Sequence, residues 1–275
     1  MADTLPITLA VLTHNSAATL EQALKSAKEF AEIIICDGAS TDTTLEIARS
    51  FGARILVQDK KFLDAQGSIA DFAGVRNQTL AAATQPWFLF LDSDEYLSQE
   101  LVDELRIQVL KEPAAYWVPR KTVWKGTIIE CSVVYPAQQM RFFHREVAAM
   151  FIKSVHERIE LKDGVVPRHL KNCMYVPLTD TVVQRKKKWR YYLALERQHR
   201  LATPLSLWSE LRQAAHQFAV GGLYLVRAVK VRLFCRGTKL PIAYDLLWTW
   251  YQWRVAWDLF IDMTKKRPSE NFRRP

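Results

Sequence analysis

The feature that most constrains this chain is the stretch WFLFLDSDEYL at residues 87–97. Five apolar residues run from 87 to 91 without polar alternation, which reads as a strand buried on both faces and favours a parallel sheet within an α/β domain. Sheets of that kind bind ligands beyond the carboxyl ends of their strands. Here the strand runs straight into Asp92, Asp94 and Glu95. Carboxylates crowded together repel one another, so a positive group is expected among them.

The preceding residues supply the rest of such a sheet. Residues 7–12 (ITLAVL) predict a first strand. A helix over 16–30 follows, with Ala17, Leu20, Leu24 and Ala27 on one face and Ser16 as its N-cap. A second strand, 33–36, ends in Asp37 and a small-residue turn. Asp42 or Thr41 then caps a helix that stops at Gly52, and residues 53–59 form a third strand. A helix over 68–84 leads into the 87–91 strand, and another is expected over 100–111. Strand and helix alternating at this spacing predict right-handed βαβ units. From 115 to about 176 the text becomes β-rich, and after Pro177 it is helical.

Asp92 and Asp94, one residue apart at a strand end, are candidate ligands for Mg²⁺ or Mn²⁺. Such ions take one or two protein carboxylates and complete their shell with substrate phosphate oxygens. The plainer alternative is an acidic turn before the next helix. Asp37 at its own strand end can accept hydrogen bonds from a base or ribose, or can simply close an Asx turn with Gly38. Arg76 and Asn77 on the 68–84 helix can hold phosphates or the base, or form a solvated face.

Taken in order, AVLTHN, IIICDGASTDTTLEIA, AGVRNQTLAAA and WFLFLDSDE resemble the nucleotide-sugar half of family 2 glycosyltransferases with the GT-A fold. The likeness covers roughly the first 100 residues. MRFFHRE and VHERIE are similar to the acceptor half of the branch that contains lipopolysaccharide-core glucosyltransferases. The resemblance implies an α/β, Rossmann-like mixed sheet in a GT-A domain over 1–180, divided into a nucleotide-sugar half (1–100) and an acceptor half (101–180). It implies inverting, metal-dependent transfer from a nucleotide-sugar donor, a UDP-sugar, to a hydroxyl of a lipid-linked or envelope saccharide such as lipopolysaccharide core. Thr13 and Asn15 would line the nucleotide pocket beside Asp37, with Arg76 and Asn77 as further donor contacts. Asp92 would face the ribose or a metal-bound water, and Asp94 would ligate the metal, with Asp92 and His156 as additional candidate ligands. Glu157 would be the base that takes the proton of the incoming hydroxyl, with Glu95 and Asp64 as rivals. Two other readings use the same residues: a metal-dependent nucleotidyltransferase, and a non-catalytic module that binds anionic membrane or nucleic acid. The first lacks the basic Gly-rich loop it would need. Retention of Asp92, Asp94 and Glu157 opposes the second, and no nucleic-acid partner is expected.

Composition matters most in the last third. Residues 181–275 hold 19 Lys and Arg against 6 Asp and Glu, whereas residues 1–180 hold 19 against 23. Six of the nine tryptophans also lie after residue 180. Arg185, Lys186, Lys187, Lys188 and Arg190 surround Trp189, and Leu246, Trp250, Trp253, Trp257 and Phe260 recur on one helical face. This predicts an interfacial helical region over 181–275 on an anionic membrane. The face of residues 214–235 is not legible. Four cysteines without framework spacing suit a reducing cytosol, and the N-terminus lacks the character of a signal peptide. The expected location is therefore cytoplasmic, peripheral at the inner membrane face.

Overall fold

The structure, a computed structural model, describes residues 4–154, 157–202 and 206–270. Its elements run β1 (Leu5–Thr13), α1 (Ala17–Ser26), β2 (Phe30–Asp37), α2 (Thr44–Ser50), β3 (Arg54–Val57), α3 (Phe72–Ala82), β4 (Trp87–Asp92), β5 (Tyr96–Leu97) and α4 (Gln99–Gln108). Then come β6 (Ala115–Trp124), β7 (Thr127–Ile128), β8 (Ala137–His144), β9 (Ala148–Ile152), β10 (Arg158–Leu161), β11 (Arg168–His169) and β12 (Met174–Pro177). Three long helices follow: α5 (Val182–Ala202), α6 (Leu207–Phe234) and α7 (Ile242–Glu270). The chain divides into two units, one of residues 1–123 and 136–177, the other of residues 124–135 and 178–275.

The first unit is a mixed α/β domain. Its main sheet has the order β3-β2-β1-β4-β8-β6-β12-β5, parallel from β3 through β4 and antiparallel where β8 joins β4 and β6. The unbroken apolar run of β4 is explained by burial on both faces. Trp87, Leu89 and Leu91 pack with Leu9, Val11, Leu20 and Leu24 on one side, and Phe88 and Phe90 with Ala10, Ile34 and Phe143 on the other. β9 and β10 form a separate antiparallel pair. Asn77 ties β9 to α3, its amide donating to the Phe151 carbonyl (2.9 Å) and accepting from the Phe151 N–H (2.8 Å).

Two local expectations are corrected. Ser16 makes no side-chain cap of α1; the Ala17 N–H donates instead to Asp42 (3.1 Å), which also accepts from the Thr44 N–H and so serves both helix starts. The helix expected from residue 68 begins at Phe72, capped by Asp71, because residues 64–68 close a turn in which Asp64 accepts the Gln66 and Ser68 N–H groups.

The second unit is helical. α6 packs along α7, and Trp189 of α5 meets Trp248 and Tyr251 of α7 edge-on. Residues 124–135 belong to this unit: the Glu130 and Cys131 N–H groups donate to the Thr238 carbonyl, and Cys131 is bonded to Cys235. The expectation of unpaired thiols is thereby corrected at two positions; Cys36 and Cys173 are free. Gly237 is required at this crossing, since a Cβ there would lie 2.4 Å from Glu130 Oε2 and 3.0 Å from Cys131 Sγ. Among the described residues, no helix is long and apolar enough to cross a membrane.

Candidate functional site

Strand register builds the site. β1 pairs in parallel with β2 and β4, so that Thr13 lies opposite Asp37 and Leu12 opposite Asp92. Three strands therefore end at one level, where α1, which follows β1, and α3, which precedes β4, pack on opposite faces of the sheet, and such a switch point leaves a crevice. A cavity of about 460 Å³ occupies it, lined by the ends of β1 (Thr13, His14, Ser16), β2 (Gly38) and β4 (Asp92, Ser93), with Gln58 and Arg76 at its walls. The 66–69 turn and Phe72 complete the lining. That volume lies in the usual range of small-molecule sites.

Three arginines supply the positive charge that the carboxylates need. Arg76, almost wholly buried, donates from Nη2 to Asp92 Oδ1 (2.5 Å) and from Nη1 to the Leu91 carbonyl (3.2 Å). Arg141, also buried, donates to Asp92 Oδ2 (3.0 Å) and lies 3.1 Å from Glu95 Oε2. Arg120 donates to Glu95 Oε1 (2.5 Å). Glu95 accepts the Asp92 N–H (3.1 Å), which fixes the turn that carries Ser93 and Asp94. The Phe90 ring lies 4.7 Å from the Arg76 guanidinium carbon and 4.5 Å from that of Arg141, so both charges rest on its face.

Burial opposes ionisation of Asp92, yet Arg141 and Arg76 outweigh it and hold the carboxyl well below the usual range. For Glu95 burial wins, and with the neighbouring Asp92 charge it pushes the carboxyl up despite Arg141 and Arg120. Two carboxylates three residues apart are thus driven in opposite directions.

Residues 8–153, more than half of the chain, match the family described as "Glycosyl transferase family 2". The chain belongs to that family. A TPR repeat-containing protein of Synechococcus elongatus is 32% identical over 157 residues, 56% of this chain and 35% of that protein. An uncharacterized glycosyltransferase of Rickettsia bellii is 38% identical over 96 residues, 34% of this chain and 30% of its own length. The match thus spans about a third of these curated relatives. Among solved structures, S. aureus TarS 1–349 in complex with UDP-GlcNAc gives a TM-score of 0.44 at 14% identity, covering 97% of this chain and 93% of that one.

Within this family 2 chain, the residues singled out from the sequence separate into groups. Thr13, Arg76 and Asp92 line the cavity. Asp37 and Asn15 support it from behind. Asp37 is buried and accepts from Thr13 Oγ1 (2.7 Å), Ser40 Oγ (2.5 Å) and the Ser40 N–H (2.8 Å), while Asn15, at φ 50°, accepts the Thr41 N–H (2.8 Å). Asn77 is spent on the Phe151 backbone and lies off the cavity lining. Glu157 comes within 3.4 Å of Arg76 Nε and lines a neighbouring groove of about 450 Å³ with Phe90, Trp117, Gln139 and Met140.

The fit to a divalent cation follows from the same contacts. Both Asp92 oxygens accept from guanidinium groups, while Asp94 is exposed on the same turn and is not among the residues that line the cavity. His156 lies outside the described residues. Among the described residues, no three His, Cys, Asp or Glu side chains converge as a complete metal shell. One carboxylate plus substrate phosphates still fits Mg²⁺ or Mn²⁺.

Sequence reasoning missed Arg141 and Arg120 entirely, along with the cavity contacts of His14 and Gln58. Gln58 is buried, donating to the Thr13 (3.3 Å) and Cys36 (3.1 Å) carbonyls, and it fills the space a side chain on Gly38 would need.

Proposed function

We propose that the chain is an inverting glycosyltransferase that moves a sugar from a nucleotide-diphosphate donor, a UDP-sugar, to a hydroxyl of a lipid-linked or cell-envelope saccharide such as lipopolysaccharide core. The observation that carries this reading is the cavity at the aligned ends of β1, β2 and β4 in a family 2 chain. In this reading the nucleotide lies along the β1 and β2 ends, and the diphosphate lies towards Arg76 and the 92–94 turn. Asp94 would hold Mg²⁺ or Mn²⁺, which when bound neutralises charge growing on the diphosphate leaving group. Asp92 keeps Arg76 and Arg141 fixed as part of a preorganised electrostatic frame, so little reorganisation accompanies reaction.

Glu157 is the proposed base. It borders the groove on one side and reaches the cavity wall through Arg76 on the other. A saccharide hydroxyl in the groove would give its proton to Glu157 as its oxygen attacks the anomeric carbon, and the nucleoside diphosphate leaves from the opposite face. Trp117 offers the groove an aromatic surface for a sugar ring.

The proposed location is peripheral at the inner face of the membrane, which the basic character of residues 181–275 supports. The Cys131–Cys235 bond pulls against the cytoplasmic side, because disulfides persist in oxidising compartments. The donor reading is tested by thermal shift with UDP, UDP-glucose and UDP-GlcNAc, with and without Mn²⁺. A ligand specific for the native state must raise the melting temperature. A metal-dependent rise is expected, and no rise with any nucleotide diphosphate would overturn the reading.

A further inference from the structure

α6 presents an apolar stripe and lies outside the residues matched to the family. Trp208, Leu211, Phe218, Leu225, Val229 and Leu233 follow one another at steps of three, four and seven residues. At 100° per residue they fall within an arc of about 100°. All six are open to solvent, Trp208 at 81%, Phe218 at 63% and Leu233 at 70%. The buried positions of the helix, Glu210, Gly221 and Ala228, lie away from that arc, and Trp253 of α7 packs on Gly221. At about 1.5 Å per residue the helix runs roughly 40 Å, so the stripe is long as well as continuous.

Charge selects what covers it. The acids of the helical unit are largely turned inward. Asp245 pairs with Arg232 (2.5 Å), Asp258 with Arg254 (3.0 Å) and Asp262 with Arg197, and all three acids are buried, as is Glu210, the only acid in α6. Arg212, Arg227 and Lys230 of α6 are exposed, and Arg212 and Lys230 follow the edge of the stripe. A second copy of the chain seated on this face would bring those bases against their own counterparts, since a two-fold contact apposes the same patch. An anionic lipid surface meets both features: acyl chains take the stripe, and headgroups take the basic edge.

We propose that this stripe of α6 is the face that docks the chain, in plane, on an anionic lipid surface. The inference deepens the membrane reading above and adds α6 to the α7 face, on which Trp257 and Phe260 are also exposed. Trp253 is stacked on Phe218 and its Nε1 donates to the Phe218 carbonyl (3.2 Å), while Lys186 lies over the Trp250 ring. Trp253 and Trp250 are partly committed within the protein, and Phe218 shares the stack with Trp253, whereas Trp208, Leu211, Val229 and Leu233 stand 47–81% exposed.

The test is sedimentation of the full chain with vesicles of phosphatidylcholine containing 30% phosphatidylglycerol, in parallel with phosphatidylcholine alone. Wild type should favour the anionic vesicles and be only partly released by high salt. The combined change Leu211→Gln, Val229→Gln and Leu233→Gln should weaken binding by about a thousandfold, given the transfer free energy of three aliphatic side chains. Its melting temperature and UDP thermal shift should stay at wild-type values, because the three positions are exposed. Leu233→Glu alone, near the helix end, gives the same direction with less demand on the fold. Wild-type binding by both variants would overturn the α6 assignment while leaving another membrane contact, such as the 185–190 cluster. No binding by wild type to either vesicle would overturn the membrane reading as well, with the donor reading judged separately by its thermal shift. A wild-type dimer in light scattering that the triple change makes monomeric would mean that a second copy covers the stripe, and would also overturn the proposal.

Discussion

The two units both bury arginine–carboxylate pairs, and they use them differently. In the α/β unit, Arg76, Arg120 and Arg141 gather Asp92, Glu95 and Glu157 at the edge of two open cavities. In the helical unit, Arg197, Arg232 and Arg254 each take one aspartate. The first arrangement is a shared network in which one carboxylate answers to two guanidinium groups, so removal of one member leaves several charges unsatisfied. In the second, buried aspartates meet partly exposed arginines, which hides negative charge from the surface. What distinguishes the first is that Asp92 is shared between two arginines at the cavity formed by the ends of β1, β2 and β4.

The largest expected effects break the cavity side of that comparison. Asp94→Asn should lower turnover by roughly 1000-fold or more and abolish the Mn²⁺ dependence of the UDP thermal shift, since a metal contributes several kcal/mol to the charge of the leaving group. Glu157→Gln should lower transfer by about 10²–10⁴-fold while leaving that thermal shift intact, since a base acts on the acceptor and not on the donor. Equal loss of donor binding in both variants would mean that the two residues do not divide the labour.

Next comes stability. Arg141→Met should cost about 3–5 kcal/mol in urea denaturation, because it removes one of two guanidinium partners from both the buried Glu95 and Asp92. Removing the Cys131–Cys235 bond with Cys131→Ser should cost about 2–5 kcal/mol. A thiol titration of the unreduced, denatured chain should find two reactive cysteines; four would show that the bond is open.

The smallest effects sharpen the contrast. Arg254→Met removes a half-exposed partner from the buried Asp258, and should cost about 1–3 kcal/mol. pH gives a second measure of the network. The Asp92 carboxyl is held below its ordinary 3.8 in the folded chain, so the stability it contributes is fully present above that pH and is lost as the pH falls through the depressed value. The stability gap between wild type and Asp92→Asn should therefore narrow from pH 7 to pH 3. A gap that does not change with pH would mean that the arginines do not depend on the charge of Asp92.

Much of the α/β unit was legible because its signals are local. The unbroken apolar run of β4, the Gly52 stop after α2 (φ 69°) and Asp37 at a strand end all follow from side-chain pattern and backbone preference. The helical character after Pro177 and its basic excess were equally readable. Where α3 starts was not, because Asp64 and Asp71 compete as turn and cap, and the winner depends on the turn that packs above the cavity.

What the sequence determined by itself was the alternation of strand and helix, the family, and the crowding of carboxylates at the end of β4. It also showed that some positive charge must meet them. Only the tertiary structure decided which charge. Arg141 sits 49 residues beyond Asp92, in a strand, AQQMRFFH, whose text names no charge partner for it. It reaches the cluster because β8 pairs antiparallel with β4, placing Phe142 opposite Leu89 and the neighbouring Arg141 on the same sheet face as Phe90. The open face of α6 was likewise settled only when Trp253 of α7 packed on the side bearing Gly221. A residue's neighbours along the chain fix its local geometry, but long-range pairing register fixes which charges and which apolar faces are left to meet a ligand or a membrane.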